Sequence, residues 1–323
     1  MFRFLIRRTI EIAISLLIVI TVVFFLFRII PGDPTAAFLD AGFTVEARQM
    51  VIERFGLDKP FYVQYVLYMR NLVQGDFGRS FYHRRPANEV IGDRILNTLI
   101  LMVPSLLLAY LIGTVAGAFL SWKRGTKLED LSILGALAFR SAPVFWTGIL
   151  ALMLFAYGLG WLPHSGMRTP GYPETGLLGK FLSIDFLKHL ALPAMVLTLY
   201  TLPTPLLLMR NTMLETFGED YIDYCRAKGL SERQVMLRHS CRNALLPVVT
   251  SAALALGTAI GGQVILEYVF GWPGLGREIV FSTQRSDYPV AQFGLLLLAA
   301  VVMLMNLLTD LLYGVLDPRI RLR

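Results

Sequence analysis

The chain has 323 residues, of which 55% are hydrophobic and 16% are charged, and its formal net charge is +7. This composition excludes an ordinary soluble domain and predicts an all-α protein that crosses a membrane several times. A positive net charge can indicate nucleic-acid binding, but the basic residues stand at the ends of apolar runs, where they orient a membrane protein. We therefore expect membrane lipid, and no nucleic acid, as a partner.

The first apolar run covers residues 12–30 and follows a chain start that holds three arginines. It is longer than the apolar core of a signal peptide, and it ends in Pro-Gly-Asp-Pro instead of a small-residue cleavage site. We therefore predict that residues 1–30 form a cytoplasmic tip and a retained first membrane helix.

A large polar segment, residues 31–97, separates this run from the next one. It contains start and stop signals for two short helices, one over residues 44–56 and one over residues 58–75. We expect the segment to be extracytoplasmic, with both helices packed on the outer face of the membrane.

Five further apolar runs are long enough to span a bilayer. They cover residues 98–122, 131–159, 189–209, 246–265 and 289–315. In the third run of the chain, Arg140 is followed by Ser-Ala-Pro, which predicts a broken helix, and three prolines in the fourth run predict a kink. Residues 267–278 are rich in glycine and predict an outer segment made of turns.

The distribution of Lys and Arg indicates the orientation. The short stretches assigned to the cytoplasm hold fifteen of these residues, whereas the two shorter outer loops hold five. The long segment 31–97 is left out of this count because long domains cross the membrane largely regardless of charge. The pattern predicts six transmembrane helices with both termini in the cytoplasm and the large outer segment between helices 1 and 2.

A polar stretch, residues 219–247, lies between the fourth and fifth runs, and we call it the basic loop. Gly229 lets the chain leave a right-handed helix without steric cost. Ser231 is placed to cap a new helix that has Glu232 in its first turn, and Pro247 is placed to open the next membrane helix. The pattern predicts a helix, a turn, a second helix and then a span.

The basic loop resembles the cytoplasmic coupling loop of ABC importer permeases, a bent helix pair that docks on the ATPase. The resemblance is to the oligopeptide/dipeptide permease family, and it is carried by Cys225 followed by Arg-Ala-Lys-Gly-Leu and by the later Leu-Pro. The outer sequences Pro-Gly-Asp-Pro and Gly-Trp-Pro-Gly-Leu-Gly also resemble this family. The sequence departs from the general ABC importer pattern at Asp223 and Tyr224, and its Leu-Pro follows the glycine at a longer distance. Both differences from the general pattern resemble the sequences of the peptide-permease branch.

The resemblance implies a five-helix importer core over residues 98–323 with its coupling loop at 211–245. It implies a peptide importer in the bacterial cytoplasmic (inner) membrane, with a second homologous permease subunit, two ATPase subunits and an extracytoplasmic substrate-binding protein as partners. ATP and Mg²⁺ are then expected on the ATPase subunits, and this chain binds no cofactor. The residues expected to couple to the ATPase are Asp223, Cys225, Arg226, Ala227, Lys228, Gly229, Leu230, Ser231 and Pro247.

Two charged residues fall within apolar runs. Asp310 lies in the last run with Asn306 four residues before it, and Arg140 lies at the break in the third run. Arg140 either extends to the membrane interface or lines the substrate path. We expect Asp310 to form a polar contact between helices, and Arg140 is a possible partner in that intramembrane pair.

The sequence contains none of the common catalytic or metal-binding motifs. It has no G-x-x-x-x-G-K-[ST], no G-x-S-x-G and no H-E-x-x-H, so we expect no enzymatic activity in this chain. Its four histidines lack metal-ligand spacing, and we predict no bound metal. Two alternatives stay open: an importer of the same architecture for nickel chelates, glutathione or sugar-derived solutes, and a stand-alone secondary transporter.

Overall fold

A computed structural model of the chain describes residues 2–29, 58–172, 176, 181–259 and 264–316. Regular structure in these residues is helical, and the strands that a sheet requires are absent from them. The helices are α1 (Phe2–Ile29), α2 (Phe61–Val73), α3 (Ala87–Trp122), α4 (Lys127–Ser141), α5 (Val144–Ala151), α6 (Ile184–Thr201), α7 (Pro203–Thr216), α8 (Asp220–Ala227), α9 (Glu232–Gln234), α10 (Cys241–Ala259), α11 (Val264–Val269), α12 (Leu275–Gln284) and α13 (Tyr288–Leu316). Two π-helical stretches, Leu152–Gly158 and Val235–Ser240, extend α5 and connect α9 to α10.

Four helical stretches among the described residues are long and apolar enough to cross a membrane. They are Ile6–Arg28, Ala87–Trp122, Ile184–Thr216 and Tyr288–Leu308. Helices α4 and α5 with its π-helical extension count as a fifth if the bent pair is one span. The remaining predicted run, residues 246–265, overlaps α10, which is helical but does not meet this criterion within the described residues.

The break predicted in the third run is confirmed. Helix α4 ends at Ser141 and α5 begins after Pro143, and the two axes differ by 102°. The reason is local, because Pro143 lacks the N–H that would continue the helix and its ring disfavours helical geometry in the residue before it. Helix α4 begins with a side-chain cap, since the Thr126 hydroxyl accepts a hydrogen bond from the Glu129 N–H.

The centre of the molecule is formed where α3 packs against α6 and α7. Gly113 and Gly117 of α3 face α7 so closely that a Cβ at Gly113 would lie 2.7 Å from Pro205 Cγ. Their four-residue spacing places both on one face of α3, as small residues at close helix contacts require. The main apolar cluster lies nearer the start of α3, and Trp272, Leu101 and Leu197 are fully buried in it.

Helix α1 packs along α13, and α2 covers the end of α1. Phe27 and Tyr288 join α1 to α13 with ring centroids 5.4 Å apart. Tyr65 of α2 contacts Phe24 of α1 edge-on, and its hydroxyl lies 2.8 Å from the Thr21 hydroxyl. The predicted helix over 58–75 is therefore confirmed as α2, whereas the one predicted over 44–56 lies outside the described residues.

The helix that contains the second apolar run is longer than hydropathy indicates. We expected the polar segment to continue to residue 97, but α3 already begins at Ala87. The first turns of α3 are polar and precede the apolar run, and they are helical because they make contacts of their own. Arg94 pairs with Glu278, and Asn97 donates to the Pro273 carbonyl. The boundary predicted at 97/98 therefore marks a change in hydropathy within one helix.

Candidate functional site

The first helix of the basic loop is α8, and its end forms a Schellman motif. The Leu230 N–H donates to the Cys225 carbonyl at 3.3 Å, and the Gly229 N–H donates to the Arg226 carbonyl at 2.9 Å. Gly229 has φ +78°, the left-handed conformation that this motif needs and that glycine adopts without strain. The predicted role of Gly229 in the turn is therefore confirmed by its backbone geometry.

The second helix of the basic loop begins with a capping box. The Ser231 hydroxyl accepts a hydrogen bond from the Gln234 N–H, and the Gln234 side chain accepts one from the Ser231 N–H. Both N–H groups would otherwise lack partners at a helix start. The predicted cap at Ser231 is confirmed, and the box fixes where the second helix begins.

The prediction that Pro247 opens the next helix is wrong. Helical structure runs from Glu232 through the π-helical stretch into α10, and Pro247 lies inside α10. The polar residues before Pro247 form a helix because Val235, Met236 and Ala244 supply a buried face for it. A proline is tolerated within a membrane-associated helix where neighbouring groups satisfy the backbone that it disturbs.

The two helices of the basic loop are held together by a small apolar cluster. Ile222, Cys225 and Val235 are buried in it, and Leu230 packs against it. One further link ties this pair to α10, because Asn243 Nδ2 donates to the Tyr221 hydroxyl at 2.8 Å. The loop is therefore an ordered unit with an inner face and an outer face.

The outer face of the basic loop is polar and exposed. Arg226 bridges the two helices, since its guanidinium lies 3.0 Å from Asp223 Oδ1 and 2.9 Å from Glu232 Oε1. These hydrogen bonds, first with Glu232 and then with Asp223, raise the pKa of Arg226. Lys228 stacks its ammonium group 4.4 Å from the ring centroid of Tyr224, which is 62% exposed. The result is a charged, aromatic surface with no partner within the described chain.

The predicted coupling residues divide between these two faces. Seven of them are exposed, namely Asp223, Arg226, Ala227, Lys228, Gly229, Ser231 and Pro247. Cys225 is buried and Leu230 is half-buried, so these two shape the turn from within. The signal for this difference was available in the sequence, because residues 222 and 225 lie three apart on one face of a helix.

The predicted intramembrane pair has one described member. The Arg140 guanidinium is exposed at the end of α4 and lies 4.7 Å from the ring centroid of Tyr200 on α6. The Asp310 side chain lies outside the described residues. The pairing of Arg140 with Asp310 therefore stays a prediction.

A charge exchange tests this pairing. Arg140→Asp and Asp310→Arg should each reduce assembly of the purified complex, because each places two like charges at the position of the predicted pair. The double variant should recover assembly, measured as the yield of intact complex after size-exclusion chromatography. Two additive losses in the double variant would contradict the pair.

Sequence reasoning missed a buried carboxylate, Glu267, which lies on the other side of the helical core from the basic loop. It is 0% exposed, and it accepts hydrogen bonds from the Thr98 hydroxyl at 2.6 Å and from the Arg277 N–H at 2.9 Å. Burial raises the pKa of the Glu267 carboxyl, and the Thr98 hydroxyl and two backbone N–H groups oppose this effect. A Cβ added at Gly274 would collide with the Glu267 carboxylate. The carboxylate therefore ties the segment 267–278 to α3.

Other contacts complete this side of the molecule. Trp272 Nε1 donates to the Asn97 carbonyl at 2.8 Å, and the Leu275 N–H donates to the Thr98 hydroxyl at 2.8 Å. Glu278 accepts a hydrogen bond from Arg94 Nε at 2.9 Å, and its other carboxylate oxygen lies 2.8 Å from His83 Nε2. The segment expected to consist of turns is instead two helices, α11 and α12, around one buried turn. The sequence signal was the glycine at 274, which gives the carboxylate room without needing a left-handed backbone.

The polar side chains described above form hydrogen bonds, ion pairs and stacking contacts. Within the described residues, no group of three or more His, Cys, Asp or Glu side chains is placed to hold a metal ion. Glu267 is enclosed by hydrogen bonds, and the basic loop presents side chains that form ion pairs and stacking contacts. The basic loop is therefore the candidate functional site, and it is suited to contact with another protein.

Family models and known proteins match nearly the whole chain in sequence. Residues 109–322 match the family described as binding-protein-dependent transport system inner membrane component, and residues 1–102 match the N-terminal family of such membrane components. The dipeptide transport system permease protein DppB of Escherichia coli (strain K12) is 38% identical over 339 residues, which cover 99% of either chain.

Two further relatives carry similar names. The di/tripeptide transport system permease protein DppB of Pseudomonas aeruginosa (strain UCBPP-PA14) is 39% identical over 92% of either chain. The oligopeptide transport system permease protein AppB of Bacillus subtilis (strain 168) is 37% identical over 98% of either chain. Among solved structures, the MetNI methionine ABC transporter in inward facing conformations matches with a TM-score of 0.53 and 20% identity. The match covers 71% of this chain and 96% of that chain, and it shows a shared fold.

Proposed function

Because the chain belongs to the family of binding-protein-dependent transport system inner membrane components, we propose that it forms half of the translocation path of a peptide importer driven by ATP hydrolysis. The chain is a multi-pass protein of the inner membrane, and its relatives are transport permeases. The names of the DppB and AppB relatives support peptides as the cargo.

The proposed assembly contains several chains. A second homologous permease subunit completes the path, two ATPase subunits bind ATP and Mg²⁺ on the cytoplasmic side, and an extracytoplasmic binding protein delivers the peptide. This chain binds no cofactor in the proposal. Six spans place both termini and the basic loop in the cytoplasm, which the distribution of Lys and Arg supports.

The observation that carries the proposal is the exposed outer face of the basic loop. Its exposed side chains include tyrosine and arginine. These residue types are enriched among those that dominate the binding energy of protein interfaces. The apolar cluster of Ile222, Cys225 and Val235 keeps the two helices together when the loop is pushed. Closure of the ATPase dimer would then move the loop as a unit and shift the spans between inward-open and outward-open states.

Two other functions are distinguished by their energy source or cargo. An importer of nickel chelates, glutathione or sugar-derived solutes would have the same loop and would respond to another ligand. A stand-alone secondary transporter would need charged groups deep in several spans. Within the described residues the buried carboxylate Glu267 is instead fully hydrogen-bonded next to α3, which favours a structural role for it.

ATP hydrolysis by the complete complex in proteoliposomes tests the proposal. We expect binding protein loaded from a peptide library to increase the hydrolysis rate several-fold over unloaded binding protein. The increase should require this chain, because its basic loop carries the signal to the ATPase. A response to another class of ligands, with none to peptides, would support the importer and replace peptides as its proposed cargo. Uptake without any ATPase subunit would contradict the proposal.

A further inference from the structure

A small cavity lies where α1 ends and α13 begins. Its volume is about 50 Å³. At about 10–15 Å³ for each water molecule, it has room for about three to five waters or for one small polar group. Gln64, Leu67, Tyr68 and Asn71 form one wall, and their spacing places them on a single face of α2.

Two hydrogen-bond donors in this cavity have no acceptor among the residues that the structure describes. Gln292 is 8% exposed, and its buried Nε2 has no partner within the described part of the chain. The buried Nε of Arg28 also lacks a partner there. Both side chains line the cavity. A buried donor without an acceptor costs about 1–3 kcal/mol, so an acceptor is expected to occupy the space between them.

The charged residues that line the cavity are Arg28 and Asp76, and Arg28 is the one with a buried donor that lacks an acceptor among the described residues. Arg28 carries a permanent positive charge, and its guanidinium lies 5.3 Å from the ring centroid of Phe24. The first turn of α13, which begins at Tyr288, adds the partial positive charge of a helix start. Asp76 also lines the cavity, and its Oδ1 already accepts a hydrogen bond from the Gly78 N–H.

The position of the cavity indicates which anion reaches it. Arg28 is the last residue of the first candidate span, and Tyr288 is the first residue of the last one. The cavity therefore lies at the level where apolar spans end, which is where the phosphate groups of lipids are found. A guanidinium matches the oxygen geometry of a phosphate.

We propose that this cavity is a binding site for a phosphate group, held by Arg28 and Gln292. The group is either the phosphodiester of a lipid whose chains lie against α1 and α2, or free phosphate from solution. The site does not depend on the transported cargo or on the contact with an ATPase. Its occupation would fasten α2 to the start of α13.

Native mass spectrometry of the full-length chain in detergent tests this site. Dioleoylphosphatidylglycerol is titrated against the protein, and dioleoylglycerol serves as the matched lipid without phosphate. We expect the wild-type chain to bind the phospholipid in preference to dioleoylglycerol. Arg28→Gln should weaken phospholipid binding about tenfold, since one charge-assisted hydrogen bond is lost. Arg70→Gln, on an exposed part of α2 outside the cavity lining, should leave it unchanged.

A second arm distinguishes the two sources of phosphate. If free phosphate is the occupant, inorganic phosphate should raise the thermal unfolding midpoint of the lipid-free chain, and Arg28→Gln should abolish this increase. The proposal is overturned if the phospholipid and dioleoylglycerol bind alike while inorganic phosphate has no effect. Equal behaviour of Arg28→Gln and Arg70→Gln would overturn it as well.

A second variant keeps the test valid if Arg28→Gln does not fold. Gln292→Glu preserves the size of the side chain and replaces a donor with a carboxylate. We expect it to abolish binding of both phosphate sources, because the new charge repels an anion and pairs with Arg28. Unchanged phospholipid binding in Gln292→Glu would show that the phosphate group lies elsewhere.

Discussion

Replacing Gly229 by proline should abolish peptide uptake while the complex still assembles and hydrolyses ATP. Proline requires φ near −65°, whereas Gly229 has φ +78°, and it removes the N–H that donates to the Arg226 carbonyl. The local cost is about 3 kcal/mol or more, and it falls on the turn between the two helices of the basic loop. Uptake and ATP hydrolysis are measured on the same proteoliposomes, and we expect uptake to fall more than tenfold.

Gly160→Pro is the matched control for this substitution. Gly160 also has a left-handed backbone, with φ +63°, and a Cβ at either glycine would meet open space. It lies after the π-helical stretch Leu152–Gly158, away from the basic loop. The two variants therefore carry similar backbone strain at different places. Normal uptake with Gly229→Pro, or an equal loss with Gly160→Pro, would contradict a specific role of the basic loop.

The second large effect is expected at Gly274, where a methyl group should destabilise the folded chain by about 2–3 kcal/mol. The Cβ of alanine would collide with the buried carboxylate of Glu267, and overpacking of this kind costs roughly 1–3 kcal/mol. Glu267→Ala should cost about 2–4 kcal/mol, because the Thr98 hydroxyl and the Arg277 N–H lose their acceptor. Thermal unfolding of the purified chain, followed by tryptophan fluorescence, measures both.

The double variant gives the sharper result. With the carboxylate removed, the methyl group at 274 has space, so the two losses should not add, and the coupling should be about 1–3 kcal/mol. Gly92→Ala is the control, since a Cβ at this helical glycine meets open space and alanine favours the helix. Additive losses in the double variant would show that Gly274 is not needed to make room for Glu267.

The turn of the basic loop was predictable because its signals are local. A left-handed glycine and a serine that caps the next helix act over five residues, so Gly229 and Ser231 could be assigned without any tertiary contact. The break at Pro143 is equally local. The same reasoning failed at Pro247, because the helix before it is stabilised by a buried face that polar neighbours conceal in the sequence.

The role of Glu267 could not be predicted, since its partner Thr98 lies 169 residues away in the chain. Hydropathy also marks where a run becomes apolar, which is not where a helix begins, and α3 starts at Ala87 for this reason. In the sequence, Glu267 stands between an apolar run and a glycine-rich turn, which is a pattern typical of surface loops. Only the packing of α11 and α12 against α3 makes it a buried acid.

The uninterrupted helix that follows Ser231 has a mechanical consequence. From Glu232 through the π-helical stretch to Ala259 it is one rod, about 40 Å long at about 1.5 Å for each residue. One end of the rod belongs to the basic loop, and the other reaches the buried turn that holds Trp272. A tilt of about 5° at the loop end would therefore displace the opposite end by about 3–4 Å. In the proposed importer, this helix would carry a small push on the basic loop to the opposite end of the helical core.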